Sequence, residues 1–244
     1  MTHLEPTMGK NRTGAQMSPL MSAAMLESIK EFPWDTVQPT ADSAERIRLD
    51  YAKDAHAIGS IPMPLTLKGM ARTGYEKIKG EKPEIFIDKL GERMAFERMG
   101  VRLYQALIRK CEMDPARHAS MDLYRLQQIC DSELEHMQML KQAIEAVGAD
   151  PTATTPGADA MAVASMGLGQ VLNDPRTSVT QCLEAILIAE LADTDGWQLL
   201  IDLTQETGDE TMLAQFQRAM QEEEVHVLEI RSLLKELTLG KTKL

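Results

Sequence analysis

Residues 213–237 read LAQFQRAMQEEEVHVLEIRSLLKEL. Apolar side chains recur there at alternating steps of three and four: Leu213, Phe216, Met220, Val227, Ile230, Leu234 and Leu237. That rhythm draws one stripe down a helix, the stripe a bundle buries. A single place in the rhythm is not apolar, and it holds Glu223. Three more segments keep the same spacing: Leu90, Met94, Glu97, Val101, Tyr104, Ile108; then Leu123, Leu126, Cys130, Glu133, Met137, Leu140, Ile144, Val147; then Val179, Leu183, Ile186, Glu190, Asp193, Trp197, Leu200. Each carries one glutamate near its middle. Four helices of this length predict an all-α four-helix bundle.

The connections predict its topology. CEMDPARHAS (111–120) joins the first two helices and TQETGDE (204–210) the last two, both short enough for antiparallel hairpins. Between the hairpins runs one long crossover from Gly148 to Thr177, broken by Pro151, Pro156 and Pro175, with a small helix expected around 158–172. The hairpins also resemble each other. FERMGVRLYQALI (96–108) aligns with AELADTDGWQLLI (189–201), and ELEH (133–136) with EEVH (223–226). The Glu97–Glu133 and Glu190–Glu223 separations differ by three residues, which a loop absorbs, so an internal duplication with a pseudo-two-fold axis is expected.

The bundle is expected over 86–240. Residues 1–85 form an N-terminal arm expected to be partly disordered and partly helical, with helices over 22–32 and 40–58 and a proline-containing loop over 59–69. A packed appendage or an oligomer contact is its default role. The chain has 244 residues and a net charge of −11, with 37 acidic against 26 basic side chains, which argues against nucleic acid or an anionic membrane as partner. Its 17 methionines read as flexible core filler. Three scattered cysteines form no CxxC pair, which excludes a cysteine zinc knuckle or a rubredoxin-type module in this chain and fits a reducing compartment. No apolar h-region follows the first residues, and no apolar run approaches the roughly 18 residues a membrane helix needs. A cytoplasmic protein is expected.

The four core glutamates need an explanation. A buried carboxylate is costly unless compensated, and four facing one another repel. Histidines accompany two of them. In Glu133–His136 and Glu223–His226 the spacing is i, i+3, which sets the side chains about 60° apart on one helix face, a turn along. Two such pairs plus Glu97 and Glu190 provide four carboxylates and two imidazoles. Two divalent cations neutralise that set, and its oxygen and imidazole donors suit iron or manganese and admit zinc. Asp193, one turn beyond Glu190, is a candidate to hydrogen-bond a histidine across the bundle or to act as an extra ligand. Glu222 is a candidate to orient a histidine. Tyr104 and Trp197 read first as core packing, with a redox role as the alternative. Glu92, Glu135, Glu184 and Glu224 fall off the stripes and read as solvated. His3, His56 and His118 lie in the arm or a loop and carry no role.

The pattern Glu97, Glu133-x-x-His136, Glu190, Glu223-x-x-His226 resembles the ferritin-like di-iron carboxylate superfamily, which includes rubrerythrin, bacterioferritin, manganese catalase and the ribonucleotide reductase small subunit. The likeness covers about residues 88–237. It implies that Glu133 and Glu223 bridge two metals, that Glu97 and Glu190 are terminal ligands, and that each histidine binds one metal. Two iron ions are the implied cofactor, with Mn/Mn or Fe/Mn as alternatives. The implied function is oxidoreductase-type chemistry with O2 or peroxide. Iron oxidation for storage or detoxification, manganese-catalase-like peroxide dismutation and a purely structural metal site stand as alternatives. A homo-oligomer is expected. There are departures: no rubredoxin cysteines, two ExxH motifs where the ferritin site has one, and the long arm. The tail LTLGKTKL (237–244) faintly resembles tags that load cargo into protein shells.

Overall fold

The computed structural model describes residues 19–31, 45–50, 60–61, 83–113 and 121–242. Every regular element among them is an α-helix. We label them α1 (Pro19–Glu31), α2 (Pro83–Glu112), α3 (Leu123–Ala146), α4 (Pro156–Asn173), α5 (Val179–Thr207) and α6 (Glu210–Thr242). The chain divides into two compact units, Met1–Ala57 and Ile58–Leu244. In the first, α1 is the helix expected over 22–32, begun three residues earlier, and 45–50 lies within the helix expected over 40–58. The rest of that helix, and most of the 59–69 loop, lie outside the described residues.

In the second unit α2 pairs with α3 and α5 with α6 as two hairpins, and α4 lies across α2 and α5. Sequence chemistry marks the boundaries. Asp122 accepts a hydrogen bond from Arg125 N at the start of α3. Thr155 caps α4, with proline in the first turn. Ser178 and Gln181 form a reciprocal capping box on α5. Helix α5 stops where Gly208 takes φ 71°, a left-handed conformation costly for any residue with a Cβ, and Asp209 then accepts from Met212 N to start α6.

The crossover helix is tied to α2 at both ends. Asp88 accepts from Gly157 N at 2.8 Å, and Thr155 donates to Asp88 O. Gly91 permits that approach, since a Cβ there would stand 2.6 Å from Thr155 Cγ2. At the far end Lys110 Nζ donates to the carbonyls of Asp174 and Thr177 and to Thr177 Oγ1.

The predicted stripes form the interior. All four glutamates on them are buried, and none of their apolar members is exposed. The core falls into two apolar clusters. One gathers Phe96, Leu103, Tyr104, Leu107, Ile129, Leu183 and Ile186, the other Leu90, Leu140, Ile144, Trp197, Leu200 and Phe216. The polar centre belongs to neither cluster and sits on the helix segments between them. Each hairpin therefore buries an apolar stripe above and below one layer of charge. No described helix is long and apolar enough to cross a membrane.

Candidate metal centre

Six side chains from four helices converge in that layer: Glu97 from α2, Glu133 and His136 from α3, Glu190 from α5, Glu223 and His226 from α6. Their exposures run from 0 % to 5 %. Their ligand atoms form overlapping groups within 4.8 Å, one of Glu133, Glu190, Glu223 and His226, another of Glu97, His136 and Glu223. A third joins Glu97, Glu133, Asp193 and Glu223.

Both histidines present Nδ1 to the carboxylates. His136 Nδ1 lies 2.7 Å from Glu223 Oε1 and 3.6 Å from Glu97 Oε2. His226 Nδ1 lies 3.0 Å from Glu223 Oε2, 3.5 Å from Glu133 Oε1 and 3.8 Å from Glu190 Oε2. Glu223 thus touches both rings, whose centroids are 6.2 Å apart. On the far side of His136, Nε2 meets Glu222 Oε2 at 2.9 Å, and Glu222 in turn pairs with Arg218. Glu222 is one-third exposed and borders a groove between α3 and α6. Cavities of about 410 and 240 Å³ open there beside His226 and His136.

Glu97 and Glu190 each have one oxygen held by a neighbouring side chain, a tyrosine for Glu190 and an arginine for Glu97. Glu190 Oε1 accepts a hydrogen bond from the Tyr104 hydroxyl, which leaves Oε2 toward His226. Glu97 Oε1 lies 3.3 Å from Arg93 Nε, which leaves Oε2 toward His136. Arg93 also reaches Asp193, with Nη2 2.7 Å from Oδ1. Trp197 meets His136 in a T-shaped contact with centroids 5.7 Å apart, so this core residue also walls the site.

Burial and mutual repulsion set the protonation of the cluster. Burial, then the neighbouring carboxylates Glu223, Glu97 and Glu190, push Glu133 well above the usual carboxylate range. Burial and the Glu223 charge raise Glu190 likewise, against the Tyr104 hydrogen bond. Burial raises Asp193 despite Arg93. Burial raises the Tyr104 phenol, and the Glu190 charge adds to it. Glu223 goes the other way. Burial opposes its ionisation, but the two histidines hold it at about 2. His136 is disfavoured as a cation by burial, yet Glu223 and Glu97 carry it to about 11. Both oxygens of Glu97, Oε1 of Glu133, Oε2 of Glu190, Oε1 of Glu223 and Nδ1 of His136 are buried without a well-aligned hydrogen-bond partner. Buried polar atoms are rarely left so. Carboxylate and imidazole donors this close together fit divalent metal ions.

All the residues expected at the site from sequence lie in or against this layer. Asp193 faces Arg93 and not a histidine, and it stands near enough to the carboxylates to serve as a further oxygen donor. Glu222 contacts His136 as expected of an orienting group. Glu135, Glu184 and Glu224 are exposed, and Glu92 is half-buried beside Lys89. His118, like His3 and His56, lies outside the described residues.

Three residues are not marked by the periodicity. Arg93 is a buried cation at the centre. Gly100 makes room for Glu133, whose Cδ would lie 2.9 Å from a Cβ there. Gly196 makes room for Arg93, whose Nη1 a Cβ would overlap. A signal was available in the repeat alignment, because four residues before the terminal glutamate one hairpin has arginine and the other isoleucine.

A family model described as the ferritin-like domain matches residues 87–239. No curated protein and no solved structure matches the chain.

Proposed function

This chain belongs to the ferritin-like domain family, and we propose that its bundle holds two metal ions, iron in the working protein, and acts as an oxidoreductase on O2 or peroxide. One ion would be held by Glu97 and His136, the other by Glu190 and His226, with Glu133 and Glu223 between them. The observation that carries this reading is the set of buried, unsatisfied carboxylate and imidazole atoms facing one point from four helices. Two iron ions, when bound, supply the electrons that reduce O2 or peroxide.

The chain's own contribution is positioning and proton handling. Tyr104 fixes the orientation of Glu190, and Glu222 holds His136 so that Nδ1 faces inward. Burial and the neighbouring carboxylates favour the protonated forms of Glu133 and Glu190, so metal entry would have to displace protons there. Trp197 and the two apolar clusters exclude water above and below. A homo-oligomer in the cytoplasm is the expected setting.

Metal analysis of protein purified without chelators, followed by anaerobic Fe(II) loading and exposure to air, tests the reading. Two metals per chain and a ferric oxo-bridged absorption are expected. Glu133→Ala or Glu223→Ala abolishes the two-metal stoichiometry. Absence of metal together with no uptake on titration would sink the proposal. Peroxide turnover without iron accumulation marks an oxidoreductase, whereas many irons per chain would move the protein to storage.

A further inference from the structure

The two hairpins are a repeat, so each position in one has a counterpart in the other. Counting from the terminal glutamates Glu97 and Glu190, Arg93 corresponds to Ile186, Gly100 to Asp193, Tyr104 to Trp197, and Leu103 to Gly196. Three of these differences form one unit in space. Arg93 puts Nη2 2.7 Å from Asp193 Oδ1, and Nη1 donates to the Asp193 carbonyl at 3.4 Å. The guanidinium takes this position against residue 196, where a Cβ would overlap Nη1 and force it to shift. The repeat counterparts of Arg93, Asp193 and Gly196 are Ile186, Gly100 and Leu103, with no charge among them. The repeat is thus broken at one end only, by a buried ion pair and the glycine that admits it.

We infer that Arg93 is a built-in competitor for one of the two metal ions, so that the centre loads in two unequal steps, the Glu190–His226 position first and the Glu97–His136 position second. The inference rests on the dimetal reading above. Arg93 is 5 % exposed, and a guanidinium keeps its charge under all folding conditions. A dication entering beside Glu97 meets that charge 3.3 Å from one carboxylate oxygen. It also finds Asp193, the extra oxygen donor at this end, already engaged by the same guanidinium. At the other position the terminal glutamate takes its hydrogen bond from the neutral Tyr104 hydroxyl, which neither repels a cation nor occupies a second carboxylate.

One feature works in the opposite direction. Glu222 hydrogen-bonds His136, which makes that imidazole a better donor, and the corresponding residue before Glu133 is Ser132. Glu222 is however one-third exposed and paired with Arg218, so its charge is screened, whereas that of Arg93 is not. The buried charge decides the order.

Cobalt(II) titration of the metal-free chain, read by visible absorption and by mass under native conditions, tests this. The wild type should take up two cobalt ions with affinities separated by about tenfold or more, the range that altering a ligand's partner commonly spans. His226→Ala should remove the tight step and His136→Ala the weak one. Arg93→Ile, which writes the second hairpin's residue into the first, should tighten the weak step by about tenfold, because it removes the competitor and frees Asp193. Asp193→Ala should loosen the same step by a similar factor, because it leaves the competing charge uncompensated. Opposite shifts are the signature, since a merely structural ion pair would give both variants the same direction. If Arg93→Ile does not fold, Arg93→Met, which keeps an unbranched stem, carries the same expectation. Two cobalt ions bound in one step, or shifts in the same direction, would overturn the inference and leave the dimetal reading standing. No cobalt bound by the wild type would overturn both.

Discussion

Alanine at position 100 tests whether the bundle is shaped around the Glu133 carboxylate. Gly100 lies in the interior of α2, where Gly→Ala ordinarily stabilises a helix by about 1 kcal/mol. Here the new Cβ would lie 2.9 Å from Glu133 Cδ and closer still to Oε2. Ordinary carbon contact begins at roughly 3.5 Å, so Cδ is about 0.6 Å too near and the carboxylate must retreat by about 1 Å. Overpacking of this kind costs about 1–3 kcal/mol. The atoms displaced belong to the end of a side chain, so the cost sits at the low end of that range and roughly cancels the helix gain. The metal-free variant should therefore unfold in denaturant within about 1 kcal/mol of the wild type. The damage falls on the site. Metal–ligand distances tolerate about 0.2 Å, so the same displacement should weaken cobalt binding by about 100-fold. Gly167→Ala is the control. It lies on the exposed face of α4, where an added methyl would meet nothing within 4 Å, so it should gain the full helix increment and leave cobalt binding alone. If Gly100→Ala gained as much stability as Gly167→Ala and bound two metals with undiminished affinity, Glu133 would not be the confined ligand described here.

Other outcomes follow from the same geometry. His136 is raised from 6.5 to about 11 in the metal-free fold, so its contribution to stability is complete below pH 6.5 and is lost as pH rises toward 11. Glu133, Glu190 and Asp193, also raised, act in the same direction. The thermal midpoint of metal-free protein should fall through this alkaline window, and a flat profile would contradict the assignment. Metal entry must expel these protons, so apparent cobalt affinity should rise with pH and proton release should be measurable in weakly buffered solution. Tyr104→Phe removes the hydroxyl that donates to Glu190 and should weaken one metal step about tenfold; the wild-type minus variant absorbance should show a phenolate that appears only above the range of a free tyrosine. Glu222→Ala should lower affinity at the His136 position by about 10- to 100-fold with little change in unfolding free energy, since Glu222 is partly exposed.

Periodicity was sufficient for much of this protein. A stripe repeating every three to four residues requires a helix, and four stripes with two short turns and one proline-broken crossover leave few arrangements besides this bundle. The crossover helix expected around 158–172 forms as Pro156–Asn173, because Thr155 and Pro156 start it and Asp174-Pro175 ends it. The layer of charge was legible for a related reason. A glutamate inside an apolar rhythm conflicts with its surroundings, and four conflicts at matching heights, two with histidine one turn on, agree with one another.

The sequence alone therefore determined the helices, their pairing and the six side chains that face one point. The repeat alignment marks position 93 as different, but only the tertiary structure joins Arg93, Gly100 and Gly196 to the site. Nothing in local pattern separates an arginine one turn before a glutamate from a solvated helix pair, because the distinction lies in what the neighbouring helix brings opposite. Arg93 is buried because α5 places Asp193 beside it and leaves out a Cβ at 196. Which charges are compensated, and which histidine nitrogen turns inward, are properties of distances between helices, and these are set by how side chains pack across the bundle.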